Sequence, residues 1–183
     1  MKRTIGFYFA MLFFVMFITT PLFSATEDDL VGTWSMYHSA KLKVSRIGTT
    51  TSQNNSTVTL NDDGTFTMVE NDPPDTYTYT GNWQLIKKGK KMLISFDQGG
   101  RDELIRLLED WMTEVASGYG VPISDINISL AKLTISQPSI PKKTNIPKTT
   151  TIKATGLVSA YLDGMFITRK FSYDSKVSFI CRQ

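Results

Sequence analysis

The sequence predicts a mainly β protein: an antiparallel up-and-down β-barrel of about eight or nine strands with one inserted amphipathic α-helix. Three observations carry this. Apolar and polar residues alternate along several stretches, the period of a half-buried strand. Turn signals such as Asp62-Asp63-Gly64 and Asp163-Gly164 separate neighbouring stretches. One stretch, Arg101 to Ser117, switches instead to three- and four-residue spacing.

Residues 1–25 read as a secretory signal peptide rather than part of the fold. Lys2 and Arg3 make a basic start, Ile5 to Ile18 an apolar run, and Ser24 and Ala25 a small-residue end. The run is shorter than the roughly 18–20 apolar residues of a bilayer span. Cleavage after Ala25 leaves a single domain, 26–183, which is not an integral membrane protein. It is large enough to bury a core. The expected location is periplasmic or secreted.

Thr33 to Val44 alternates, with Trp34, Met36, His38, Ala40, Leu42 and Val44 inward. Ile47 to Ser56 reads as a polar loop. Ser56 to Asn61 and Thr65 to Glu70 flank the Asp62-Asp63-Gly64 turn. Asn71 to Asp75, with Pro73 and Pro74, reads as a loop because proline cannot donate to a strand ladder. Thr76 to Ile86 puts Tyr77, Tyr79, Gly81, Trp83 and Leu85 on one face. Lys87 to Lys91 turns around Gly89, and Met92 to Phe96 follows.

Gly99-Gly100 reads as a break before the helix at 101–117. Its stripe is Leu104, Leu107, Leu108, Trp111, Met112 and Val115, with Asp102 as N-cap and Gly118 as stop. Ile126 to Ser136 slips parity after Leu130, the mark of a β-bulge. Gln137 to Lys148, with three prolines, reads as a long loop or displaced edge. Thr149 to Leu162 is a long strand, and Met165 to Tyr173 alternates after the Asp163-Gly164 turn. Asp174-Ser175 reads as a turn, and Val177, Phe179 and Cys181 point inward. Sequential hairpins favour a meander that closes on itself, with a two-sheet sandwich as the alternative.

Composition excludes several functions. Loss of Lys2 and Arg3 with all 17 acidic residues retained takes the formal charge from +3 to +1. A near-neutral body does not suit nucleic acid, which needs a basic surface. One Cys and one His exclude a Cys/His metal cluster and an intrachain disulfide. No phosphate loop, nucleophile elbow or calcium-loop spacing is present, so no cofactor or metal is expected and no catalytic residue is assigned.

Leu30-Val31-Gly32-Thr33-Trp34, Asp63-Gly64-Thr65-Phe66-Thr67, Gly81-Asn82-Trp83 and Leu93-Ile94-Ser95-Phe96 occur in this order. The series resembles bacterial secreted lipocalin-like domains, calycin-type barrels that open on a Gly-x-Trp. The resemblance implies an exported binding protein for a small hydrophobic or amphiphilic ligand. It also implies that Trp34 packs under an arginine from a late strand, with Arg169 preferred over Arg182 because its parity is inward. The alternative is a structural or interaction protein of the cell envelope with a filled barrel.

The candidate ligand-binding residues are His38, Phe66, Tyr77, Tyr79, Trp83, Phe96 and Arg169. The aromatics would line a cavity or fill a core; a barrel of this size does either. Arg169 would bind an anionic head group or serve the structural role beside Trp34. His38 reads as a satisfied core histidine before it reads as a ligand group, since it has no partner pattern. Cys181, on an inward parity, reads as a packed thiol.

Overall fold

The computed structural model describes residues 25–183 apart from Pro74, Tyr119 and Val121; nearly all of the expected signal peptide lies outside the described residues. The chain runs α1 (Glu27–Leu30), β1 (Gly32–Val44), β2 (Gly48–Leu60), β3 (Thr65–Asp72), β4 (Asp75–Ile86), β5 (Lys91–Phe96), α2 (Gln98–Gly118), β6 (Ile123–Ile135), β7 (Thr150–Leu162) and β8 (Met165–Arg182). The eight strands form one antiparallel sheet in the order β5-β4-β3-β2-β1-β8-β7-β6. Every neighbour pair but β1–β8 is a sequential hairpin or meander step. Pairing of β8 with β1 brings the two halves of the chain together.

The two outermost strands, β5 and β6, are joined by the proline-rich segment after β6. Met92 N donates to Pro138 O at 3.1 Å and Ile140 N donates to Lys90 O at 2.9 Å. Lys91 and Ser139 form a bridge, and Ile140 is buried. The displaced edge expected there thus nearly closes the barrel. Prolines fit because they supply acceptors and their missing donors are not needed.

Above that closure β5 is too short to cover β4. It pairs only with Gly81 to Ile86, leaving Asp75 to Thr80 without a strand on that side. Helix α2 takes the vacant place, and its side chains bond the β4 backbone. Glu103 Oε1 accepts from Thr78 N at 2.7 Å, and Arg106 donates to Thr76 O at 2.7 Å. The two helix residues are themselves paired at 2.7 Å. Leu104, Leu107, Leu108, Trp111 and Met112 are buried beneath the helix. Full burial of each such leucine contributes about 1.5–3 kcal/mol, which outweighs the surface pairs in holding the helix down.

The helix starts earlier than its spacing suggests. Asp97 is the N-cap, its Oδ1 accepting from Gly100 N at 2.8 Å, and Gly99-Gly100 belongs to the first turn rather than a break. Asp102 instead accepts from Gln98 on the exposed side. The cap hydrogen bonds from Gly100 and then from Thr80 hold the Asp97 carboxyl below the usual carboxylate range.

Four further expectations change. The polar stretch from Ile47 to Ser56 is strand for most of its length, because β1 offers a continuous partner from Val44–Gly48 to Met36–Ser56. The loop at Asn71 to Asp75 shrinks to a tight hairpin, with Asp72 opposite Asp75. Asp174-Ser175 is no turn: β8 runs through it, with Ser175 opposite Ala40 and Ile152. Cys181 is exposed, because a register shift between Ser35 and Met36 changes the parity at the end of β8. The expected β6 bulge is present between Leu130 and Lys132, and Ala131 is the extruded, exposed residue.

Candidate functional site

The barrel interior is divided along its axis. One end is apolar. There Leu30 of α1 is fully buried, and its carbonyl accepts from Trp34 Nε1 at 2.8 Å. The apolar side chains enclose a cavity of about 30 Å³ walled by Met36, Val58, Phe66, Met68, Phe96 and Val177 among others. Thr150 is the one polar residue in the wall, and its hydroxyl donates to Ser136 O at 2.7 Å. A space of that size holds one or two waters, well short of the roughly 300–1,000 Å³ of a typical ligand pocket.

The next layer is polar and buried. His38 Nδ1 lies 2.5 Å from Glu70 Oε1, and His38 Nε2 contacts Ser175 Oγ. Asn54 Nδ2 donates to Glu70 Oε1 at 3.3 Å, and the Tyr79 hydroxyl donates to Oε2 at 3.3 Å. A carboxylate only accepts, so Nδ1 carries the proton, and in the neutral ring Nε2 accepts from Ser175. His38, Glu70 and Ser175 are all buried, Glu70 and Ser175 completely. Each member that carries charge has partners, which a buried charge requires.

The hydroxyl–imidazole–carboxylate order is that of a nucleophile, base and orienting acid. Full burial of the hydroxyl leaves it a structural chain here. The sequence missed Glu70 and Ser175 as its members.

Above the network sit Tyr173, packed edge-on to Trp111 with ring centres 6.1 Å apart, and the Trp111 indole, which donates to Asp72 at 3.1 Å. Burial pushes the Tyr79 and Tyr173 hydroxyls well above their ordinary value near 10, with Glu70 adding to the effect on both. Above pH 10 the unfolded chain releases these protons while the folded chain keeps them, so stability falls as pH rises. The contribution is whole below about pH 10. Urea unfolding between pH 8 and 11 is expected to show a falling midpoint, and Tyr173→Phe to flatten that fall. A midpoint independent of pH would contradict it.

The other sequence candidates disperse. Phe66 and Phe96 line the cavity with ring centres 6.1 Å apart, and Tyr79 stacks on Phe96 at 5.5 Å. Tyr77 belongs to the helix contact: its hydroxyl donates to Asp110 at 3.0 Å, and the Arg106 guanidinium lies 4.3 Å over its ring. Trp83 is buried by the β2–β3 turn, with Nε1 donating to Asn61 O at 3.0 Å. Arg169 stands opposite Val158, and its guanidinium donates to Thr168 O at 3.0 Å. Arg182 is the residue opposite Trp34, bonding the carbonyls of Val31 and Asp29. The late-strand arginine at that barrel end is therefore Arg182, on the parity created by the β1–β8 register shift.

Among the described residues no helix is long and apolar enough to cross a membrane, and no cluster of His, Cys, Asp and Glu is arranged to hold a metal ion.

Fold and interior together define a small, nearly closed up-and-down β-barrel with an apolar chamber walled by strand residues, the architecture in which barrels hold small apolar molecules. Residues 30–107 match the family model described as Lipocalin-like domain. The match takes in β1 to β5, the region of the sequence resemblance, and continues into the first half of α2. No curated protein matches the chain.

Proposed function

We propose that the protein is an exported carrier, working in the periplasm or outside the cell, that holds a small hydrophobic or amphiphilic molecule in its barrel. The observation that carries this is the chamber itself: inward residues from every strand but β4 form an almost wholly apolar wall, in a chain whose residues 30–107 match a lipocalin-like domain. Uptake requires the chamber to widen. Met36 and Met68 supply the means, since an unbranched thioether side chain repacks at low cost.

The test is native mass spectrometry of the protein purified from its own host. The expected result is a chain beginning at Thr26 with a discrete extra mass that mild organic solvent releases. A bare chain that gains no mass from saturating apolar ligands, neutral or anionic, would overturn the carrier reading. That outcome would favour a filled barrel contacting an envelope partner, the second reading that the small volume of the chamber supports.

A further inference from the structure

Ser56 Oγ is buried and is the one such side-chain polar atom without a hydrogen-bond partner among the described residues. A buried hydroxyl with no partner costs free energy, because the water it gave up is not replaced. Ser56, Val58 and Leu60 are the buried residues of β2, and the latter two belong to the chamber wall. Across the strands Ser56 stands opposite Met36, also in the wall, and opposite Glu70 of the polar layer. The orphan hydroxyl therefore belongs to the layer just behind the chamber wall, next along β2 from Val58 and beside Glu70 of the polar network.

We propose that the barrel selects a neutral amphiphile with one hydrogen-bonding head group, the chemistry of a medium-chain primary alcohol, and that Ser56 Oγ anchors that head; this rests on the carrier reading above. Charge decides against an anionic head. No cationic side chain lines the chamber. The titratable groups beside Ser56 are Glu70, a buried acid, and His38, whose two ring nitrogens are committed to Glu70 and Ser175. Tyr79 donates to Glu70 and would not be free to receive a carboxylate. Arg169 and Arg182 lie outside the chamber on backbone carbonyls. A carboxylate brought to Ser56 would meet Glu70 in a medium of low dielectric with no counter-ion. A hydroxyl head accepts and donates one hydrogen bond there without that cost, while its chain displaces Met36 and Met68.

The experiment uses the mature protein with carbon-13 methionine methyl groups, titrated at pH 7.5 with 1-octanol and, separately, octanoate. The expected result is that octanol moves the Met36 and Met68 methyl signals at least tenfold more tightly than octanoate does. Ser56→Ala, which removes only an unpartnered hydroxyl and so folds, weakens octanol binding about fivefold, the value of one hydrogen bond, and leaves octanoate unchanged. Octanoate binding as tightly as octanol, or a Ser56→Ala protein that binds octanol as well as the parent, would overturn the selection while leaving the carrier reading intact. Silence of both methyl signals to both ligands would overturn the two together.

Discussion

Glu70→Ala is expected to lower the unfolding free energy by about 3–5 kcal/mol, the cost of stranding buried hydrogen-bond donors at about 1–3 kcal/mol each together with the cavity left behind. Three donors converge on this carboxylate: His38 Nδ1, Asn54 Nδ2 and the Tyr79 hydroxyl. Alanine leaves the buried His38 Nδ1 and Tyr79 hydroxyl without their acceptor, while Asn54 Nδ2 keeps its bond to Ser52 Oγ at 2.8 Å. Glu70→Gln keeps shape and an acceptor, so its loss is smaller. The double variant His38→Leu with Glu70→Leu removes both the group and its obligation, and is expected to recover much of the loss, because an apolar pair of similar volume avoids the desolvation cost. Urea unfolding of residues 26–183 measures all of these. A loss below about 1 kcal/mol for Glu70→Ala would show that the network is wet or dispensable.

Gly100→Val is the second large effect. Propensity alone predicts a gain on leaving glycine in a helix, of at most about 1 kcal/mol. Packing predicts the reverse. A Cβ at Gly100 would stand 2.2 Å from Thr80 O and 3.0 Å from Thr80 N, and both are backbone of β4. Neither the strand nor the capped turn yields cheaply, so the N-terminus of α2 must lift. The expected loss is about 3 kcal/mol, at the upper end of overpacking costs, and larger than the propensity gain. Gly118→Ala at the other end of the same helix, where an added Cβ meets nothing within 4 Å, is the control and is expected to be neutral or stabilising. Equal effects at the two positions in thermal unfolding would refute the close approach.

Much of the barrel was legible because period-two alternation is a direct consequence of which strand face is wet. The inward sets of β1 and β4 are legible residue by residue, and so is most of the stripe of α2. The failures have physical causes. β2 begins with Thr, Ser, Gln and Asn because its inward residues there serve polar partners, Asn54 on Glu70 above all, so hydropathy is silent. Ser175 carries no apolar signal either, and its Asp-Ser context imitates a turn. Yet its spacing from Phe171, Tyr173 and Val177 places it on the inward parity once the strand is taken as continuous. Glu70 was visible in the same way, as an acid in phase with Phe66 and Met68. What no single strand could reveal is that these two, with His38, converge: they come from β1, β3 and β8, and only the pairing of first strand with last brings them together.

The helix that stands in for a missing strand has a consequence for how the protein fails. While α2 is seated, Glu103 and Arg106 occupy the backbone groups of Thr78 and Thr76. Release of the helix from the otherwise folded barrel bares Asp75 to Thr80, whose alternate residues Thr76, Thr78 and Thr80 have high β-propensity and carry no charge. Such a row of free donors and acceptors templates addition of a strand from another molecule. Strand addition at that edge would need only local detachment of one helix rather than global unfolding, so its rate would report how firmly Leu104, Leu107 and Leu108 hold.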